Sequence, residues 1–366
     1  MNFAAALVLT CLLVPIALTL AFMPLFTRET ISFGVSVSEE MNRSEPLNRL
    51  RRRFIRISCI GYALIFAASL TGMIRLDMNG QGWLLTVCIT AMLVFHTFLY
   101  LRFHFMAKTI KETLPQSSPQ RQIVAVDTSF RNTKLVLSNL WFLIHAAIAG
   151  ISAVWTLTYY DRIPDTLAMK FDFAGNVTQT AAKSYLNVFL PNILQVIMIL
   201  VFLMINWSIG NSKQQLDPNR PEQSKARNTI FRRRWSLFSI MSGLLIVLLF
   251  SCIQVNMALQ LDPNLLTVVS LIIPVVIVVA ALGLTITTGQ GGSRIGRTPD
   301  ASPSTYHPND DRHWKLGLFY FNRQDPSLFV EKRMGVGWTI NHAHPLGWLI
   351  LLAPIVLIVL VTLLAR

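Results

Sequence analysis

Charged residues are scarce in this chain and unevenly placed. Asp, Glu, Lys and Arg make up 14% of its 366 residues, against about 25% in a soluble domain. Runs free of all four cover 1–27, 57–74, 78–101, 135–160, 184–212, 235–261, 263–293 and 334–365. A helix needs about 20 apolar residues to cross a hydrocarbon core of roughly 30 Å. The shortage therefore excludes a soluble globular chain and a disordered one. The length of the runs argues against an outer-membrane barrel, whose strands alternate in short segments. Cysteine is rare too: Cys11, Cys59, Cys88 and Cys252 all fall in apolar runs, which supports neither a disulfide framework nor a zinc site and reads as packing. No Asp, Glu, Lys or Arg falls within the core of any predicted span; His96 and His145 are the ionisable exceptions. Arg56 and Arg102 lie near helix ends, where they snorkel. Proton relays, ion-coupled pumps and intramembrane hydrolases bury such groups, so the absence disfavours them. No Walker loop, nucleophile elbow, dinucleotide fingerprint or His-Glu-x-x-His motif occurs, and the reading is of a protein that is not an enzyme and needs no cofactor.

What is present is an all-α, polytopic membrane protein with about eight transmembrane helices, near 3–26, 54–74, 83–105, 135–159, 186–207, 235–256, 265–287 and 346–365. The first apolar run lacks a basic leader and a small-x-small cleavage site, and is read as a retained helix. Lys and Arg sort by loop. Alternate loops 27–53, 106–134, 208–234 and 288–345 hold 25 of them, whereas the intervening loops hold Arg75, Arg162, Lys170 and Lys183. Cytoplasmic loops collect Lys and Arg, so the expectation is a multi-pass protein of the cell membrane with both termini extracytoplasmic. The net charge of +14 then reflects topology and attraction to the lipid bilayer. Its spread over four loops argues against nucleic acid as a partner. The chain divides into 1–135 (three helices with two basic loops), 136–207 (helix, outer loop 159–185, helix), 208–287 (basic loop and two helices), 288–345 (cytoplasmic linker and aromatic module) and 346–366 (the last helix).

Arg51-Arg52-Arg53-Phe54 and Arg232-Arg233-Arg234-Trp235 stand 181 residues apart. A four-plus-four tandem repeat accounts for that offset; Arg clusters anchoring helix ends at the interface account for it equally. His96 and His145 lie within the third and fourth helices at similar depth. They read either as a facing, proton-sensitive pair or as two neutral imidazoles bonded to neighbouring helices. Pro191-Asn192 and Gln195 give the fifth helix a polar, kinked outer third, which suits a cavity lining or a packing device.

The outer loop 159–185 is long and mixed in charge. Pro164 restricts Ile163 to extended backbone, Met169, Phe171 and Phe173 alternate with Lys170 and Asp172 as in a strand, and Gly175-Asn176 suits a turn. Two readings stand: a cap over helix ends, or a recognition surface formed by Asp161, Pro164, Lys170, Phe171, Asp172, Gly175, Asn176 and Lys183. Ile163-Pro164-Asp165, Lys170-Phe171-Asp172, Ala174-Gly175-Asn176 and Lys183 together resemble a domain of unknown function of bacterial membrane proteins, including immunity proteins against the sporulation-delaying toxin. Ala168, Lys170 and Asn176 depart from that pattern, where it has proline, histidine and an acidic residue.

In 288–345, a Gly/Ser/Pro-rich stretch reads as a flexible linker and a following aromatic, mixed-charge stretch as a compact module with a turn at Asp325-Pro326-Ser327. The module is similar to one found in relatives that carry the outer-loop motif. His342-x-His344 has no clustered third ligand. The resemblance implies an immunity or sensor protein that responds to an extracellular peptide or envelope stress and recruits a cytoplasmic regulator. The alternative is a small-molecule or lipid transporter, which the repeat and the proline-kinked helices favour.

Overall fold

A computed structural model describes residues 3–75, 78–113, 134–171, 177–260, 263–296 and 310–364. Eight long helices form: α1 (Phe3–Phe26), α3 (Glu45–Arg75), α4 (Met78–Thr113), α5 (Phe142–Thr158), α6 (Tyr185–Asn211), α7 (Pro221–Leu259), α8 (Pro263–Thr288) and α9 (Pro345–Leu364), with a one-turn α2 at Glu39–Asn42. Seven of them, α3 to α9, are long and apolar enough to cross a membrane. In α1, side chains are described from Leu13 onward, so Cys11 lies outside the described side chains. The outward faces need lipid. Leu349, Leu352, Ile355 and Val356 of α9 are each about half exposed, an apolar surface that water does not tolerate.

Several helices outrun their apolar cores. α3 begins nine residues before Phe54, with Glu45 paired to Arg49 one turn on at 2.8 Å. α7 begins at Pro221, which suits the first helical position because its missing N–H would have no partner there. α1, α3 and α4 pack together, α5, α6 and α7 form a second group, α8 bridges α1 and α7, and α9 lies on α6. The pairs α1–α3 and α3–α4 thus have counterparts in α6–α7 and α7–α8. The match ends at the fourth helix of each half, since α5 packs on both α6 and α7 while the main helical neighbour of α9 is α6.

Among the described residues, four two-stranded hairpins complete the fold. Pairs β1 (Ile31–Ser32) with β2 (Val35–Ser36), β5 (Trp314–Lys315) with β6 (Phe319–Tyr320), and β7 (Phe329–Glu331) with β8 (Trp338–Ile340) lie at one end of the bundle, and β3 (Thr166–Phe171) with β4 (Val177–Ala182) at the other. The described residues of all four basic loops meet at the first end. Arg28 pairs with Glu331, Lys111 with Asp311 at 2.7 Å and Lys213 with Asp325 at 2.6 Å. Residues 310–344 are thus the keystone to which every basic loop is tied. The Gly-rich stretch expected as linker is ordered over 289–296. Gln290 is buried, donates to the Gly337 carbonyl at 2.9 Å and accepts from its N–H at 2.7 Å, pairing as a strand backbone would. The rest of that stretch, 297–309, lies outside the described residues.

Candidate functional site: a β-hairpin, a polar helix seam and a charged module

The outer loop folds as a β-hairpin. The alternation around Lys170 does form a strand, paired antiparallel with Val177–Ala182 and bulged around Lys170. Its base is apolar: Ile163, Leu167 and Val188 are buried against Tyr160, Met169, Phe189 and Ala258, the last at the end of α7. Lys183 is committed to this base. Its Nζ donates to the Ile163 carbonyl at 2.8 Å and lies 4.6 Å from the centre of the Tyr160 ring, and Tyr160 stacks on Tyr185. Pro164 follows that carbonyl and is half-buried, and Asp161 is exposed. Lys170 and Phe171 have described backbone only, and Asp172, Gly175 and Asn176 lie outside the described residues. The fold thus brings Asp161, Pro164 and Lys183 to one edge of the hairpin and assigns Lys183 to holding it.

Below the hairpin, polar side chains line the seam of α5, α6 and α7. Asn187 donates to the Ala182 carbonyl at 2.8 Å, and Gln254 to the Val188 carbonyl, in the turn preceding Pro191, at 2.8 Å. Gln195, fully buried, donates to the Val247 carbonyl and to Ser251. Asn192 donates to Gln195 and Ser152. The polar outer third of α6 is therefore a packing device whose donors are consumed by neighbouring helices; polar groups in an apolar surround demand such partners. Farther along, His145 bonds to the Ile240 carbonyl at 3.0 Å. Gly243 permits that approach, because a Cβ there would sit 3.2 Å from the imidazole. His96 bonds instead to Tyr62 on α3 at 2.9 Å. The two histidines thus belong to different helix groups and do not face one another. Asn206 then joins Ser236, Asn139 and the Leu137 carbonyl.

The seam ends on a buried ion cluster. Arg232, with no exposed surface, donates to the carbonyls of Ile209 and Ser212 at 2.6 and 3.0 Å, neutralising the negative C-terminal end of α6. Its Nε donates to Asn228 at 2.7 Å. Asn228 donates in turn to Glu331 at 2.8 Å, and Arg28 and Arg232 flank the same carboxylate. A second cluster joins Arg333 to Asp310 and Asp311. Burial would raise the Asp311 carboxyl, but Arg333 and Lys111 overcome it and hold it at about 2. Asp325 behaves alike: burial opposes, and hydrogen bonds from Lys213, Tyr320 and Ser327 win, leaving it at about 2. Tyr320 is pushed well above the usual phenol range by burial and by its bond to Asp325. His342 bonds to the Tyr320 carbonyl.

Sequence reasoning missed this inner cluster. Arg232 counts only as a topology signal there, and Glu331 sits in an unremarked Phe-Val-Glu run. A signal was available in α7. Asn228, Arg232, Ser236, Ser239, Gly243, Val247, Ser251 and Gln254 recur every three to four residues, which marks one helix face rich in polar and small groups.

Residues 147–195 match the model of a domain of unknown function (DUF1648), and residues 323–348 match a family of unknown function (DUF5808). The first match spans most of α5, the outer hairpin and the polar outer third of α6; the second spans β7, β8 and the start of α9. No curated protein and no solved structure matches the chain significantly.

Proposed function

We infer that this is a non-catalytic sensor of the cell membrane, of the immunity type, in which the hairpin meets an extracellular peptide or reads envelope stress and the inner module answers to a cytoplasmic regulator. In this reading eight helices span the bilayer, both termini are extracytoplasmic, and the basic end is cytoplasmic. The observation that carries it is the seam. One face of α7 bonds, in succession, to the turn below the hairpin (Gln254 to Val188), to α5 (His145 to Ile240), to the end of α6 (Arg232 to Ile209) and to the module (Asn228 to Glu331). α6 runs beside it for 27 residues, about 40 Å at 1.5 Å per residue, so a tilt or slide of the hairpin base is passed to the module through rigid, hydrogen-bonded helices. Exposed Asp161, together with Lys170 of β3 and the Asp172 that follows it in sequence, supplies the recognition surface. Polar residues on a loop held by a rigid scaffold are where binding concentrates.

Amide hydrogen exchange of the full chain in nanodiscs tests this. Replacing residues 172–176 by Asn-Gly is expected to change exchange in β7 and β8, and adding Gln195→Leu is expected to abolish that change. Unaltered exchange in the module after hairpin truncation would sink the reading. Saturable uptake of small solutes by proteoliposomes would favour a transporter instead.

A further inference from the structure

At the basic end, α4 and the β5–β6 turn enclose a cleft of about 450 Å³. Its place relative to the bilayer follows from α4. Trp83, Val94, Phe98 and Phe105 are more than half exposed, whereas the exposed residues beyond Phe105 are Lys108, Thr109, Glu112 and Thr113. Trp83 to Phe105 covers about 33 Å of helix, the thickness of a hydrocarbon core. The membrane interface therefore falls between Phe105 and Lys108, and both line the cleft.

The cleft is cationic. Lys108, Arg312, Lys315 and Arg333 line it against one carboxylate, Asp311, which is already paired with Arg333 and Lys111. The side chains of Lys108 and Lys315 form no hydrogen bond or ion pair among the described residues, and both residues are exposed. Its lip is apolar and strained. Leu316 has φ +54° and is 42% exposed. The left-handed region is unfavourable for a residue with a Cβ, and a position open to water would take Asn or Gly more easily. Phe319 and Phe321, beside it on the same hairpin, are 47% and 40% exposed. The turn sets this backbone conformation, and the apolar side chains it leaves exposed together at Leu316, Phe319 and Phe321 point to an apolar partner outside the chain.

We propose that this cleft is a specific site for one anionic phospholipid of the adjacent leaflet, its phosphate held by Lys108 and Lys315 and its acyl chains lying along Leu316 and the Phe98–Phe105 flank of α4. The lipid bridges α4 to the module, so the module's seat depends on membrane charge. The site is separate from the outer hairpin and does not rest on the sensor reading.

Native mass spectrometry of the full chain, released from detergent with dioleoylphosphatidylglycerol or dioleoylphosphatidylcholine, tests it. The wild type is expected to retain one phosphatidylglycerol in preference to phosphatidylcholine. Lys108→Gln with Lys315→Gln should weaken that retention roughly thirtyfold, from the loss of two juxtamembrane lysines. Leu316→Gly should release lipid more readily while raising the melting temperature of the lipid-free protein. Lys225→Gln with Arg234→Gln, on another basic loop, should leave retention unchanged. Equal loss in that control, or unaltered retention in the cleft variant, overturns the proposal. So does displacement by inorganic phosphate at concentrations that spare the other bound lipids, which would mark the cleft as a site for a soluble phosphate.

Discussion

Glu331 is the residue on which the basic end turns. It is buried, and its two oxygens serve Arg28, Asn228 and Arg232. Glu331→Gln leaves two guanidinium groups facing a neutral amide in a dry site. Breaking one side of a buried pair costs about 3–5 kcal/mol, and we expect a loss of that size in detergent unfolding; a loss below about 1 kcal/mol would show that water reaches the cluster. Asp325 allows a second test at this scale. Its folded carboxyl is held at about 2, below the unfolded value of about 3.9. The stabilisation it contributes is therefore complete above about pH 4 and is lost as pH falls toward 2. Melting temperature should drop across that window, and Asp325→Asn should flatten part of the drop. A drop unchanged in Asp325→Asn would assign the acid transition to other carboxylates.

At the scale of elements, two hairpins lock tip to tip. Phe33-Gly34 joins β1 to β2 as a two-residue turn, and Leu316-Gly317-Leu318 joins β5 to β6 with the Leu318 N–H donating to the Lys315 carbonyl at 3.1 Å. Phe33, Gly34, Leu316 and Gly317 all have positive φ, as tight hairpin turns require. Tyr100 of α4 lies within hydrogen-bond distance of both the Leu316 carbonyl, at 3.0 Å, and the Phe33 carbonyl, at 3.3 Å. His104 bonds to the latter carbonyl at 2.7 Å. A Cβ on Gly317 would lie 2.7 Å from the Tyr100 hydroxyl and 2.8 Å from the Gly34 Cα. Gly317→Ala is thus expected to cost about 1–2 kcal/mol for the left-handed conformation alone and to separate the tips. Faster amide exchange confined to residues 31–36 and 314–320 would be the signature, and exchange indistinguishable from wild type would mean that the tips tolerate separation. The outer hairpin works differently. It is held by the Lys183 clamp and an apolar base.

For the whole molecule, the arrangement to test is the orientation of its two ends. The four basic loops converge on residues 310–344, and the β3–β4 hairpin lies at the far end of α6 and α7. In intact cells, a membrane-impermeant maleimide should label Gln179→Cys and spare Asn219→Cys, both exposed positions, in a background with the native cysteines replaced. Reversed labelling would invert the protein in the membrane, place the hairpin in the cytoplasm and remove the basis for an extracellular ligand.

The positions of the helices and the shared end of the basic loops were legible in the residues. Both depend on one-dimensional properties: a span needs a run of apolar residues, and loop charge alternates along the chain. The strand around Lys170 was legible for the same reason, through its period of two. The rest required chain segments far apart in sequence to meet. Arg232 and Glu331 stand 99 residues apart, and nothing local distinguishes a snorkelling Arg from one sealed over the end of α6. Counting along the helices puts His96 and His145 at similar but not equal depth, and only helix packing decides that one turns to Tyr62 and the other to Ile240. Gln290 lies in a stretch with the composition of a linker and becomes ordered because Gly337 supplies the donor and acceptor its amide needs. Burial and hydrogen-bond partnership are properties of the assembled bundle, and they decide which polar residues hold the fold and which remain available for function.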